Sequence, residues 1–149
     1  ALRCAKHIRE SLSIKKRMIE KDEFDEGERK IFNYGHTFGH AIEAISRYEV
    51  SHGNAVTLGM DIANYISLKK GLIEQATYEH LFGMIKKNIP DYRLTEDRLQ
   101  DYFTFLSKDK KNIDNSLVCI LPYGIGDMRT TAIDDIDSVK DIIREYFNK

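Results

Sequence analysis

Arg29, Asn33, His36 and His40 are spaced by four, three and four residues, and His52 follows after a short break with Gly53 beside it. On an α-helix, intervals of three and four return to one face. The spacing therefore predicts one row holding a guanidinium, an amide and two imidazoles, where a core stripe would be apolar. His36 and His40 form an i, i+4 pair, the spacing that lets two imidazoles face one metal ion. A third histidine from the next segment would complete a ligand set, since catalytic metal sites need neutral imidazoles and an open coordination position. The guanidinium forks onto carboxylate or phosphate, and the amide can orient oxygen ligands. The row reads as the wall of an active site for a phosphorylated or carboxylated substrate. The competing reading is a pair of half-buried histidines bonded to backbone.

Other chemistries find little support. No Ser-His-Asp or Cys-His arrangement is suggested, and no GxGxxG is present. Gly124-Ile125-Gly126 reads as a hairpin corner. His7 and His80 each stand alone on helical stretches and read as satisfied or exposed. Cys4 and Cys119 are isolated, without a CxxC pair, and read as buried free thiols in a reducing compartment. The net charge is −1, so no nucleic-acid or other polyanion partner is signalled and any cationic site must be local. No apolar run approaches the ~20 residues of a membrane span, and no signal peptide is seen. A cytoplasmic protein is expected.

The elements that must position the row follow from periodicity. The length suits one domain over residues 1–149. Residues 2–20 predict a helix with Leu2, Ala5, Ile8, Leu12 and Ile19 as its apolar stripe. Lys21 to Gly27 reads as a loop, with Asp25 able to cap the next helix. That second helix is expected from Glu28 to Tyr48, with Ile31, Phe38, Ile42 and Ile45 as its core face. Gly35 and Gly39 inside it signal close approach of another backbone or a ligand, since each costs about 1 kcal/mol in a helix interior. A third helix is expected from Asn54 to Lys70, burying Val56, Met60, Ala63 and Ile66 and ending at Gly71. A fourth, from Ile73 to Asn88, would bury Ala76, Leu81, Met84 and Ile85 and stop before Pro90. Thr95 can cap a short helix through Leu106. Leu117 to Leu121 and Met128 to Ile133 predict a β-hairpin. Asp134 or Asp135 caps a last helix carrying Ile136, Val139, Ile142, Ile143 and Tyr146. The fold class is thus mainly α with one small hairpin.

The motifs NYGHTFGHAIEA and SHGNAVTLGM, with KDE at Lys21 to Glu23, GERKIFN at Gly27 to Asn33, DKKN at Asp109 to Asn112 and LPYGIG at Leu121 to Gly126, resemble the 3-dehydroquinate synthase family. The resemblance covers nearly the whole chain and implies the helical C-terminal domain of that fold. It implies an N-terminal NAD-binding domain as partner, absent from this chain, and a homodimer when full length. It also implies zinc, or another divalent metal such as cobalt, with His36 and His52 as ligands. The family's third ligand, an upstream glutamate, is not in this chain, so weak zinc binding and no activity are expected of the chain by itself. His40, which spacing paired with His36, would instead contact the substrate phosphate region. Lys15, Arg29 and Asn33 match positions that hold substrate carboxylate and phosphate. Lys110, or Lys111 beside it, would supply the remaining contact.

The implied reaction is a carbon–oxygen lyase step of the shikimate pathway, on the route to aromatic amino acids. It converts 3-deoxy-D-arabino-heptulosonate 7-phosphate to 3-dehydroquinate and phosphate. In the family, NAD oxidises a hydroxyl that the metal polarises, phosphate is eliminated, the hydride returns, and the ring closes by an aldol step. The alternatives are a related NAD- and metal-dependent sugar-phosphate cyclase making inosose or valiolone, a metal-dependent polyol dehydrogenase, or a non-catalytic helical domain that keeps the motif as scaffold.

Overall fold

The computed structural model describes residues 2–107 and 116–148. The chain divides into two compact units, residues 1–32 and 33–149. The first holds helix α1, Leu2–Lys21. On it Ile8 and Leu12 are 59% and 61% exposed, so within this unit the expected apolar stripe is not a core. The loop after α1 is organised by Asp22, not by Asp25. The Asp22 carboxylate accepts the backbone N–H groups of Glu26, Gly27 and Arg29. Asp25 instead sits at a positive φ of 58°.

The expected helix from Glu28 to Tyr48 is not continuous. Glu28–Asn33 is a 3₁₀ turn, and α2 begins only at His36 and runs to Ile45. Gly35 between them has φ 78°, a left-handed conformation that only glycine adopts without strain. The single helical register expected from Arg29 through His40 is therefore broken at Gly35. At its far end α2 is stopped by Arg47 and Tyr48, both at positive φ, while Arg98 donates to the Ile45 carbonyl at 3.0 Å.

The second unit is built around α3, His52–Lys69, which is buried almost all round from Ala55 to Ser67. Helix α2 packs on it with Phe38, Ile42 and Ile45, all buried. The contact is main chain on main chain. A Cβ on Gly59 would meet the Gly35 carbonyl oxygen at 2.1 Å, and one on Gly39 would meet that of Ala55 at 2.8 Å. The glycine pair of α2 thus marks a close backbone approach, as its spacing suggests. Helix α4, Gln75–Ile85, buries no residue, and Met84 is 68% exposed. Ala76 is exposed too, so the expected core face of α4 holds for neither. Helix α5, Glu96–Ser107, lays Leu99, Tyr102 and Leu106 into the core, and the Tyr102 hydroxyl donates to the Phe38 carbonyl at 3.3 Å.

Strands β1, Leu117–Gly124, and β2, Asp127–Ile133, form the antiparallel hairpin, pairing Leu117 with Ile133 and Leu121 with Arg129. β1 is the buried strand and β2 the outer one. Helix α6, Ile136–Phe147, starts at Asp135, whose carboxylate accepts the Ser138 N–H at 3.0 Å. Tyr146 then donates to the buried Asp61 of α3 at 2.6 Å.

Candidate metal centre

The first turn of α2 carries His36, the second His40, and the N-terminus of α3 carries His52. One donor atom from each of the three rings lies within 4.8 Å of the others. Ring centroids are 5.2 Å apart for His36 and His40, 5.5 Å for His36 and His52, and 5.6 Å for His40 and His52. Two chain features produce this convergence. The i, i+4 spacing stacks His36 over His40. The glycine contact between α2 and α3 then brings the start of α3 close enough for His52 to join them.

Each of two rings is held by its Nδ1. His36 Nδ1 lies 3.3 Å from the Tyr34 carbonyl, and Tyr34 is anchored by its hydroxyl, which donates to the buried Asn64 of α3. His52 Nδ1 lies 3.1 Å from Glu43 Oε2. An Nδ1–H engaged this way leaves Nε2 with its lone pair, the form in which imidazole binds metal. The donor set therefore fits a divalent transition metal: imidazole nitrogens that converge, with outer partners in place for His36 and His52.

The other residues singled out by sequence stand elsewhere. Asn33 ends the 3₁₀ turn and is half-buried. Lys15 and Arg29 belong to the first unit. Lys15 is exposed on α1, whereas Arg29 is half-buried and donates to the Glu23 carbonyl at 2.8 Å. Lys110 and Lys111 lie outside the described residues. His7 and His80 are exposed, in keeping with the reading of them as surface histidines. Cys119 is buried, but Cys4 is exposed, contrary to expectation.

Sequence reasoning missed Tyr34 and Glu43. Glu43 was within reach: it lies seven residues after His36 and three after His40, the same periodicity that singled out the histidines. Tyr34 had no signal, because its role depends on a carbonyl and on the break at Gly35.

Fold and site together define a helical domain presenting three convergent imidazoles with the donor chemistry of a metal centre. A profile of the 3-dehydroquinate synthase C-terminal family matches residues 2–112. The chain belongs to the 3-dehydroquinate synthase family. It is 39% identical to the 3-dehydroquinate synthase of Dictyoglomus turgidum over 92% of its own length and 38% of that protein's. It is 33% identical to that of a Sulfurovum species over 93% of its length and 40% of the relative's. The chain thus spans well under half of these relatives. Among solved structures, a 2-deoxy-scyllo-inosose synthase complexed with carbaglucose-6-phosphate, NAD+ and Co2+ aligns with a TM-score of 0.71 and 27% identity, over 82% of this chain and 36% of the other. No helix among the described residues is long and apolar enough to cross a membrane.

Proposed function

We propose that this chain forms the metal- and substrate-binding part of a 3-dehydroquinate synthase, converting 3-deoxy-D-arabino-heptulosonate 7-phosphate to 3-dehydroquinate and phosphate in the shikimate pathway. The observation that carries the reading is the convergence of His36, His40 and His52 within 4.8 Å, in a chain whose relatives are named for that activity. His36 and His52 would hold the divalent metal, zinc or cobalt, and His40 would face the substrate phosphate. Bound there, the metal supplies Lewis-acid polarisation of the substrate hydroxyl. Lys15, Arg29 and Asn33, with Lys110 or Lys111, would grip the carboxylate and phosphate. Departure of phosphate concentrates negative charge, and fixed cations are the groups that stabilise it. NAD would be carried mainly by a preceding nucleotide-binding domain, in a cytoplasmic homodimer.

A second reading is favoured by the fold neighbour: a related cyclase acting on another sugar phosphate. One experiment separates the two. A full-length protein carrying these residues is assayed for phosphate release from the heptulosonate phosphate and from glucose 6-phosphate, with NAD and zinc or cobalt present. Turnover of the first alone supports the synthase. Arg29→Ala should then slow turnover at least about tenfold, the value of a charge-assisted contact of about 1.5–3 kcal/mol. Lys16→Ala should not, because Lys16 is exposed and, among the described residues, its ion pair is a surface one with Glu20 at 3.6 Å. Equal losses for both variants would mean that general positive charge, and not a positioned clamp, is at work, and the site assignment would fall.

A further inference from the structure

We propose that Glu43 is a positioning residue for the metal centre: its carboxylate fixes the orientation and tautomer of His52, so that Nε2 faces the metal. The inference rests on the reading of His36 and His52 as metal ligands. The geometry is direct. Glu43 Oε2 lies 3.1 Å from His52 Nδ1, and the Glu43 side chain is 19% exposed against 56% for His52. The less exposed group is the carboxylate, so the ring is anchored from its inner edge.

His52 needs such an anchor more than His36 does. It is the first residue of α3, with an exposed ring and exposed residues on either side. Nothing but Glu43 is seen to hydrogen-bond its ring among the described residues. A neutral imidazole divides between two tautomers and can turn its ring over. A carboxylate on Nδ1 selects the Nδ1–H form and removes the turned-over orientation. It also makes the opposite nitrogen a more basic donor. His36 receives the same tautomer from a neutral acceptor, the Tyr34 carbonyl at 3.3 Å. The two rings are thus set alike by different means, and that of His52 by a side chain that can be substituted directly. Glu43 is not itself part of the donor cluster, which among the described residues comprises His36, His40 and His52. It stands behind the ring.

The test uses the full-length protein carrying these residues, stripped of metal and titrated with Co2+ in competition with a chelator. Nitrogen NMR of the histidine rings, recorded without metal, reads the tautomer. Glu43→Ala should weaken Co2+ binding about 10–100-fold, as loss of an outer partner does. It should also convert His52 from the Nδ1–H form to a mixture. Glu43→Gln keeps an oxygen acceptor without the charge and should fall between. A merely structural role would lower the melting temperature but leave the tautomer and the graded affinity unmoved. If wild type does not bind Co2+, or His36→Ala binds it equally well, the metal reading and this inference fall together. If His36→Ala abolishes binding while Glu43→Ala binds within about twofold of wild type and keeps the Nδ1–H form, only the role of Glu43 falls. Should the alanine variant not fold, a wild-type spectrum with the His52 proton on Nε2 overturns the proposal by itself.

Discussion

Replacing Gly59 by alanine should pry apart the two helices that carry the histidines. The added carbon would stand 2.1 Å from the Gly35 carbonyl oxygen and 2.6 Å from the Gly39 nitrogen. Unstrained carbon contacts lie near 3.5–4.0 Å, so the backbones must part by more than about 1 Å. No rotamer change can relieve this, because both obstructing atoms are main chain. Overpacking costs about 1–3 kcal/mol where side chains can shift, and the upper end applies here. A gap of 0.5–1 Å already forfeits about a quarter to a half of each dispersion contact along the seam. Taking about 3 kcal/mol, and about 2–4 °C per kcal/mol for a chain near 150 residues, the melting temperature should fall by about 6–12 °C. Cobalt affinity should fall with it, since His52 is carried on α3 and the other two rings on α2. Gly83→Ala is the control. It lies in α4 with nothing within 4 Å of the new carbon, so alanine should be neutral or stabilise by up to about 1 kcal/mol. Thermal unfolding followed by circular dichroism measures both. A Gly59→Ala variant melting within about 2 °C of wild type, with unchanged cobalt affinity, would refute the account of the joint.

Two further outcomes follow from particular side chains. With a thiol reagent on the native protein, exposed Cys4 should react at once and Cys119 only on unfolding, because Cys119 is 2% exposed and burial pushes its thiol up to about 12; two equal rates would contradict the packing of β1. The Asp22 carboxyl is held below its ordinary range chiefly by the Arg29 backbone N–H, with help from those of Gly27 and Glu26. Its contribution to the order of the 22–29 loop is present above the ordinary carboxylate range and is lost as pH falls through the lowered native value, since the unfolded form binds the proton first. Protection of the Arg29 amide, its exchange taken relative to the intrinsic rate at each pH, should therefore fall on acidification, and Asp22→Asn should abolish that dependence; an unchanged pH profile in the variant would remove Asp22 as the cause.

Much of this fold was legible because helical periodicity, glycine ends and a capping aspartate are local signals. The hairpin, α5 and the Asp135 cap of α6 all follow from residues within a few positions of one another. What was not legible depended on distant partners. The row from Arg29 to His40 has helical spacing throughout, yet Gly35 takes a left-handed turn because α3 presses against it through Val56 and Gly59. Periodicity cannot distinguish a glycine packed inside a helix from one that starts it. Helix α4 shows the converse failure. Its stripe has the right period, but Ala76 and Met84 face outward. The convergence of His52 with His36 and His40 was suggested by motif, and its geometry becomes readable only with the α2–α3 contact in hand.

The bond between Tyr146 and Asp61 spans 85 residues of chain. Asp61 is buried at 2% exposure in the middle of α3, and Tyr78 also hydrogen-bonds it. A carboxylate in that position is costly to enclose until its hydroxyl partners arrive. During synthesis, α2 and α3 emerge and can pair through their glycines long before α6 exists. Full enclosure of Asp61 must then wait for α6 to leave the ribosome. The histidine seam is thus free to form before the wall around Asp61 closes, so a nascent chain stalled short of α6 would present the site on a body still open at its centre.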